Sequence, residues 1–124
     1  MGVSLFETMR GHMVDQQGEV HLVDFDIKVE SSHWGRMLRN GTARITGIVR
    51  ARPWGDDATL EGSLTISPFK MRRITYDFRF QNEAEQEFHF IGHKTLNYLH
   101  PLRSMTHLGA KLWQDDTLLA EGDL

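Results

Sequence analysis

Residues 87–94 read Glu87-Phe88-His89-Phe90-Ile91-Gly92-His93-Lys94, EFHFIGHK, and the period assigned to them decides the fold. As a helix, the stretch sets His89 and His93 one turn apart, where they can chelate zinc. As a strand, it leaves them on one face but roughly 13 Å apart, at about 3.3 Å per residue. The alternation of Phe88, Phe90, Gly92 and Lys94 against Glu87, His89, Ile91 and His93 is that of a strand. The two histidines are then solvent-side residues. A neighbouring strand could still bring His100 or His107 close to one of them, but no third ligand stands nearby in sequence, so no metal site is expected.

The same two-residue period recurs on either side. Val23, Phe25, Ile27 and Val29 alternate with Asp24, Asp26, Lys28 and Glu30, and Ala43, Ile45, Gly47, Val49 and Ala51 form a second such row. Leu60, Gly62, Leu64 and Ile66 form a third, and Ile74, Tyr76, Phe78 and Phe80 a fourth. Thr106, Leu108, Ala110 and Leu112 make a row after the quoted stretch, and shorter strands are expected at Leu5–Met13 and Thr117–Glu121. Turn residues separate the rows: Gln17-Gly18, Pro53 to Asp57, Ser67-Pro68, Gln81 to Ala84 and Asp115-Asp116.

Residues Ser31 to Gly41 break the pattern. A serine can cap a helix there, Trp34, Met37 and Leu38 fall at helical spacing, and Asn40-Gly41 supplies a left-handed stop. About two turns of helix are predicted, with the Trp34 face packed over an end of the sheet. Too short to be stable alone, it needs that packing.

Seven or eight antiparallel strands must close on themselves or pack face to face. Gly47, Gly62 and Gly92 fall on the inward rows of three different strands, where glycine marks sharp bending or close backbone approach. The expected fold is therefore all-β: a small antiparallel up-and-down barrel of the lipocalin-like or calycin-like kind, with one short helix. A β-sandwich is the alternative.

With 124 residues, the chain is expected to form a single domain over 1–124. Its 40% hydrophobic and 25% charged residues exclude a disordered chain. A net charge of −3 with scattered Lys and Arg leaves no electrostatic footprint for nucleic acid. No apolar run approaches the ~20 residues of a membrane-spanning helix, and the start MGVSLFETM lacks the regions of a secretory signal. The absence of cysteine rules out disulfides and thiolate chemistry and suits a cytoplasmic location.

Lys94 carries the chemistry of the quoted stretch, because it continues an inward apolar row. A buried lysine must find a partner or lose its charge. Glu7 can supply one if the first strand lies beside it, and Tyr76 and Thr106 can line the same interior. Such a polar spot in an apolar cavity can orient a hydroxyl or carbonyl of a ligand. Otherwise Lys94 lies at a barrel rim and extends its ammonium into water. Motifs for nucleotide binding, serine hydrolysis and metalloproteolysis are absent. Glu83, Glu85, Glu87, Asp115 and Asp116 read as solvated turns, and Arg72, Arg73 and Arg79 as an exposed strand face interrupted by Asp77.

Several short patterns run in a common order along the chain. They are Phe6 to Gly11 (FETMRG), Gly47 followed by Ala51, Leu60 to Leu64 (LEGSL), the aromatic strand around Tyr76, Phe90 to Lys94 (FIGHK) and Leu112 to Leu118 (LWQDDTL). In these the chain resembles a β-domain of bacterial proteins that also carry a glucose–methanol–choline (GMC)-type, cholesterol-oxidase-like flavin oxidoreductase module. The resemblance implies an accessory domain near lipid or sterol metabolism. It implies no cofactor in this chain, since FAD belongs to the associated module. The chain departs from that family in its seven histidines, its lack of a flavin-binding segment and its ending at Asp123-Leu124, where relatives continue. It is then either a domain excised from a larger protein or a free-standing relative.

The expected function is a non-catalytic accessory barrel that binds a hydrophobic small molecule or docks to such an oxidoreductase module. Its cavity would be lined by some of Val23, Phe25, Ile27, Trp34, Leu64, Tyr76, Phe78, Phe90 and Leu108, with Lys94 or Glu7 as the polar contact. The alternatives are a small barrel enzyme of cyclase or isomerase type, and a purely structural or assembly module.

Overall fold

The computed structural model describes residues 3–31, 41–67, 73–95 and 109–124. Eight strands follow one another: β1 (Val3–Asp15), β2 (Val20–Ser31), β3 (Thr42–Ala51), β4 (Gly55–Ser67), β5 (Arg73–Gln81), β6 (Glu87–Thr95), β7 (Gly109–Gln114) and β8 (Thr117–Asp123). Each pairs antiparallel with the next, and β8 returns to β1, so the sheet is a closed up-and-down barrel. The expected barrel is the observed one, and the sandwich is not. The expected helix over 31–41, together with Trp34, Thr106, Leu108, His100 and His107, falls almost entirely outside the described residues. Among the described residues no helix is long and apolar enough to cross a membrane.

The inward rows are those that alternation selects. Val23, Phe25, Ile27 and Val29 are buried along β2, Ile74, Tyr76, Phe78 and Phe80 along β5, and Phe88, Phe90 and Lys94 along β6. Burying one face of each strand fixes register, since a one-residue slip would turn every apolar side chain outward. β4 starts earlier than its apolar row suggested: Gly55 already pairs with Ala51, and the register shifts at Val49/Arg50. The barrel closes through four residue pairs only, His12–Asp15 of β1 with Ala120–Asp123 of β8.

Glycine permits the tight curl. A Cβ at Gly47 would collide with the Asp26 carbonyl on β2, and one at Gly62 with the Asp77 carbonyl on β5. The backbones at these two points are closer than any side chain allows.

The middle of the barrel is filled with aromatic rings. Phe78 and Phe90 stack with centroids 4.5 Å apart, and Phe25 meets Phe90 edge-on at 4.8 Å and Phe78 at 5.2 Å. Each such pair is worth about 0.5–1.5 kcal/mol beyond the area it buries. The two rims differ. The hairpin rim carries the turns at 15–20, 51–55, 81–87 and 114–117. At the N-terminal rim β1 begins and β2, β4 and β6 run out.

Candidate functional site

β1 places Glu7 on the inward row that also holds the buried Met9 and Met13. Across the interior, β5 contributes Tyr76 and β6 contributes Lys94, two rungs from Tyr76 along the shared register: Tyr76 pairs with Gly92, and Ile74 with Lys94. The three side chains converge at the N-terminal rim. The Tyr76 hydroxyl lies 3.0 Å and 3.2 Å from the two Glu7 carboxylate oxygens and donates to them. The Lys94 ammonium donates to Glu7 Oε2 at 3.5 Å and sits 5.3 Å from the centre of the Tyr76 ring.

Lys94 therefore has the partner that its position demanded, though not by the route expected. β1 is flanked by β2 and β8, not by β6. Glu7 reaches Lys94 because closure of the barrel brings opposite walls together. Burial grades across the cluster: Tyr76 is 1% exposed, and the side chains of Lys94 and Glu7 are 10% and 32% exposed. The carboxylate is thus the face that solvent or a ligand meets first. Burial, followed by the charge of Glu7 and its hydrogen bond, pushes the Tyr76 phenol well above the ordinary tyrosine range. Tyr76 is a permanent donor here, not a base.

The remaining candidates separate into core and rim. Phe25, Phe78 and Phe90 pack against one another in the middle and leave their faces to each other. Leu64 pairs with Tyr76 across β4 and β5 and so borders the polar cluster.

A second cluster at the hairpin rim escaped sequence reasoning. Asp15 Oδ1 accepts the backbone N–H groups of Gln17 and Glu19, each at 2.9 Å, and Oδ2 lies 2.7 Å from His21 Nε2. His21 in turn meets the Trp54 ring edge-on at 4.7 Å. Asp15, Glu19 and His21 hold potential metal-ligand atoms within 4.8 Å of one another. Oδ1 is already engaged by the turn and Oδ2 by His21, however, so the group reads as a hairpin lock. Parity was the available signal: His21 continues the inward row of Val23, Phe25 and Ile27, just as Lys94 continues that of Phe88 and Phe90.

His89 and His93 are outward, as alternation required. His89 Nε2 lies 2.5 Å from Asp77 Oδ1, and His93 shares a hydrogen bond with Thr75 at 3.1 Å. Arg79 pairs with Glu87 at 3.5 Å on the same outer surface. Elsewhere on the outer wall, Phe6 (78% exposed) and Ile48 border a shallow hollow with Thr8 and Lys28.

No known family model, curated protein or solved structure matches the chain.

Proposed function

We propose that the chain is a non-catalytic accessory barrel that binds a hydrophobic small molecule bearing a polar group, held at the N-terminal rim. The observation behind this reading is the Glu7–Tyr76–Lys94 cluster, three polar side chains converging inside a barrel whose other inward residues are mostly apolar. Burying a lysine costs free energy that a leucine in its place would not. A ligand that uses the cluster gives that cost a purpose. Because Phe25, Phe78 and Phe90 fill the middle, the ligand's polar group would meet the cluster at the rim, Glu7 first.

The resemblance to GMC-associated domains suggests a flavin oxidoreductase module as the partner, with the exposed Phe6 and Ile48 face available for docking. FAD would belong to that partner. A lipid or sterol-like ligand fits the same setting.

Native mass spectrometry of the purified protein tests the ligand claim. The expected spectrum contains a chain carrying one hydrophobic small molecule, lost on mild activation. A bare chain, together with no uptake of any added amphiphile, would sink the reading.

One observation favours a second reading. Glu7 and Tyr76 stand within hydrogen-bond reach, as proton-transfer chemistry of cyclase or isomerase type requires. Against it, the raised Tyr76 phenol holds its proton, and Lys94 neutralises the carboxylate that would act as base. Incubating the protein with its co-purified ligand decides between the two: an isomerised or cyclised product would establish catalysis.

A further inference from the structure

The polar cluster also constrains which polar group it can hold. Glu7 and Lys94 contribute opposite charges 3.5 Å apart, so the cluster as a whole is neutral. A ligand carboxylate approaching it meets the more exposed Glu7 first and is repelled, while its own charge goes unpaired on leaving water. A ligand ammonium finds Glu7 already paired with Lys94 and is repelled by that lysine.

The hydrogen-bond inventory points the same way. The single Tyr76 hydrogen is spent on Glu7. Lys94 has three N–H hydrogens and, among the described residues, one hydrogen-bond acceptor, Glu7. Glu7 has about four lone-pair sites and, among the described residues, receives two donors. Spare donors on Lys94 thus lie beside spare acceptors on Glu7. A hydroxyl group, which donates one hydrogen bond and accepts others, satisfies both at once. A ketone satisfies Lys94 alone.

Resting on the binding function proposed above, we infer that the site selects an uncharged, hydroxyl-bearing amphiphile, whose oxygen accepts from Lys94 and donates to Glu7.

The test is isothermal titration of the intact chain with four ligands sharing one alkyl chain: 1-decanol, decanoate, decylamine and n-decane. The expected result is that 1-decanol binds at least about tenfold more tightly than each of the other three, the scale of hydrogen bonds to charged groups. Decanoate or decylamine binding as tightly as the alcohol would overturn the inference while leaving a ligand-binding barrel in place. Equal binding of n-decane would overturn it too, by showing that the cluster is not in contact with the ligand. If none of the four binds, the binding function itself fails.

Glu7→Gln supplies an independent arm, because it leaves Lys94 as an unopposed cation. In that variant decanoate is expected to become the preferred ligand. Unchanged preference in a variant that still melts cooperatively would overturn the assignment. If Glu7→Gln does not fold, Lys94→Met is used instead, with decylamine expected to become the preferred ligand.

Discussion

The two rims of the barrel use the same ingredients to different ends. Each sets a carboxylate from the inward row of β1 against a basic side chain and an aromatic ring: Asp15, His21 and Trp54 at the hairpin rim, Glu7, Lys94 and Tyr76 at the other. At the hairpin rim two backbone N–H groups of the turn complete the shell of Asp15. At the N-terminal rim no backbone donor joins among the described residues, where Glu7 is bound by two side chains. A carboxylate anchored by its own turn is part of the architecture. One held only by side chains keeps capacity for a ligand.

The largest predicted effect concerns the wall between the rims. Phe78→Ala should lower stability by about 3–5 kcal/mol, through the cavity it leaves under Phe25 and Phe90. Urea unfolding measures this. A loss under about 1 kcal/mol would mean that the middle is loosely filled and would extend the ligand site down the barrel.

Next in size is an asymmetry within the N-terminal cluster. Glu7→Gln should cost about 1–3 kcal/mol, because it strands a lysine that is only 8% exposed. Lys94→Met should cost less, since a one-third-exposed Glu7 can recover water and methionine keeps most of the volume. Equal costs would contradict the graded burial on which the comparison of the rims depends.

Tyr76→Phe should cost about 1 kcal/mol at neutral pH, the usual net worth of one hydrogen bond. Its alkaline behaviour is more diagnostic. The folded phenol is raised above its ordinary value of 10.0, so the stability linked to it is complete below that pH. It is lost as pH rises, because only the unfolded chain releases the proton. Melting temperatures taken upward from pH 10.0 should therefore fall less steeply in the variant.

The smallest effect lies at the other rim and has the opposite sign. The hydrogen bond from His21, aided by the Glu19 and Gln17 N–H groups, holds the Asp15 carboxyl below its usual 3.8. The associated stability is present above that pH and is lost as pH falls through the lowered value. Asp15→Asn should accordingly flatten the acid limb of the melting profile below pH 3.8 and leave the alkaline limb unchanged.

Much of the architecture was legible because a strand with one buried face writes its orientation into every second residue. Val23 to Val29 and Ile74 to Phe80 could be assigned inward without knowing their neighbours. Gly47 and Gly62 announced a sheet that curls. The site was legible only in half. Parity showed that Lys94 points inward and needs a partner, but the partner comes from 87 residues away, across the barrel. No local pattern encodes which opposite strand supplies it, because that follows from closure. The hairpin cluster was missed for a different reason. His89 and His93 have the conspicuous spacing but face outward, whereas His21 is marked only by its place in the apolar row of Val23, Phe25 and Ile27.

The two β1 carboxylates stand eight residues apart, an even number, so both face inward. A one-step slip of β1 along β2 would expel both from the barrel and bring Thr8 and Val14 in. A two-step slip would keep the faces correct but carry each carboxylate about 7 Å along the strand, away from Lys94 and His21 together. Apolar rows alone tolerate the second error, since one methionine or valine resembles the next. The acids do not, and they act as end-stops: β1 has one position in which both charges are answered.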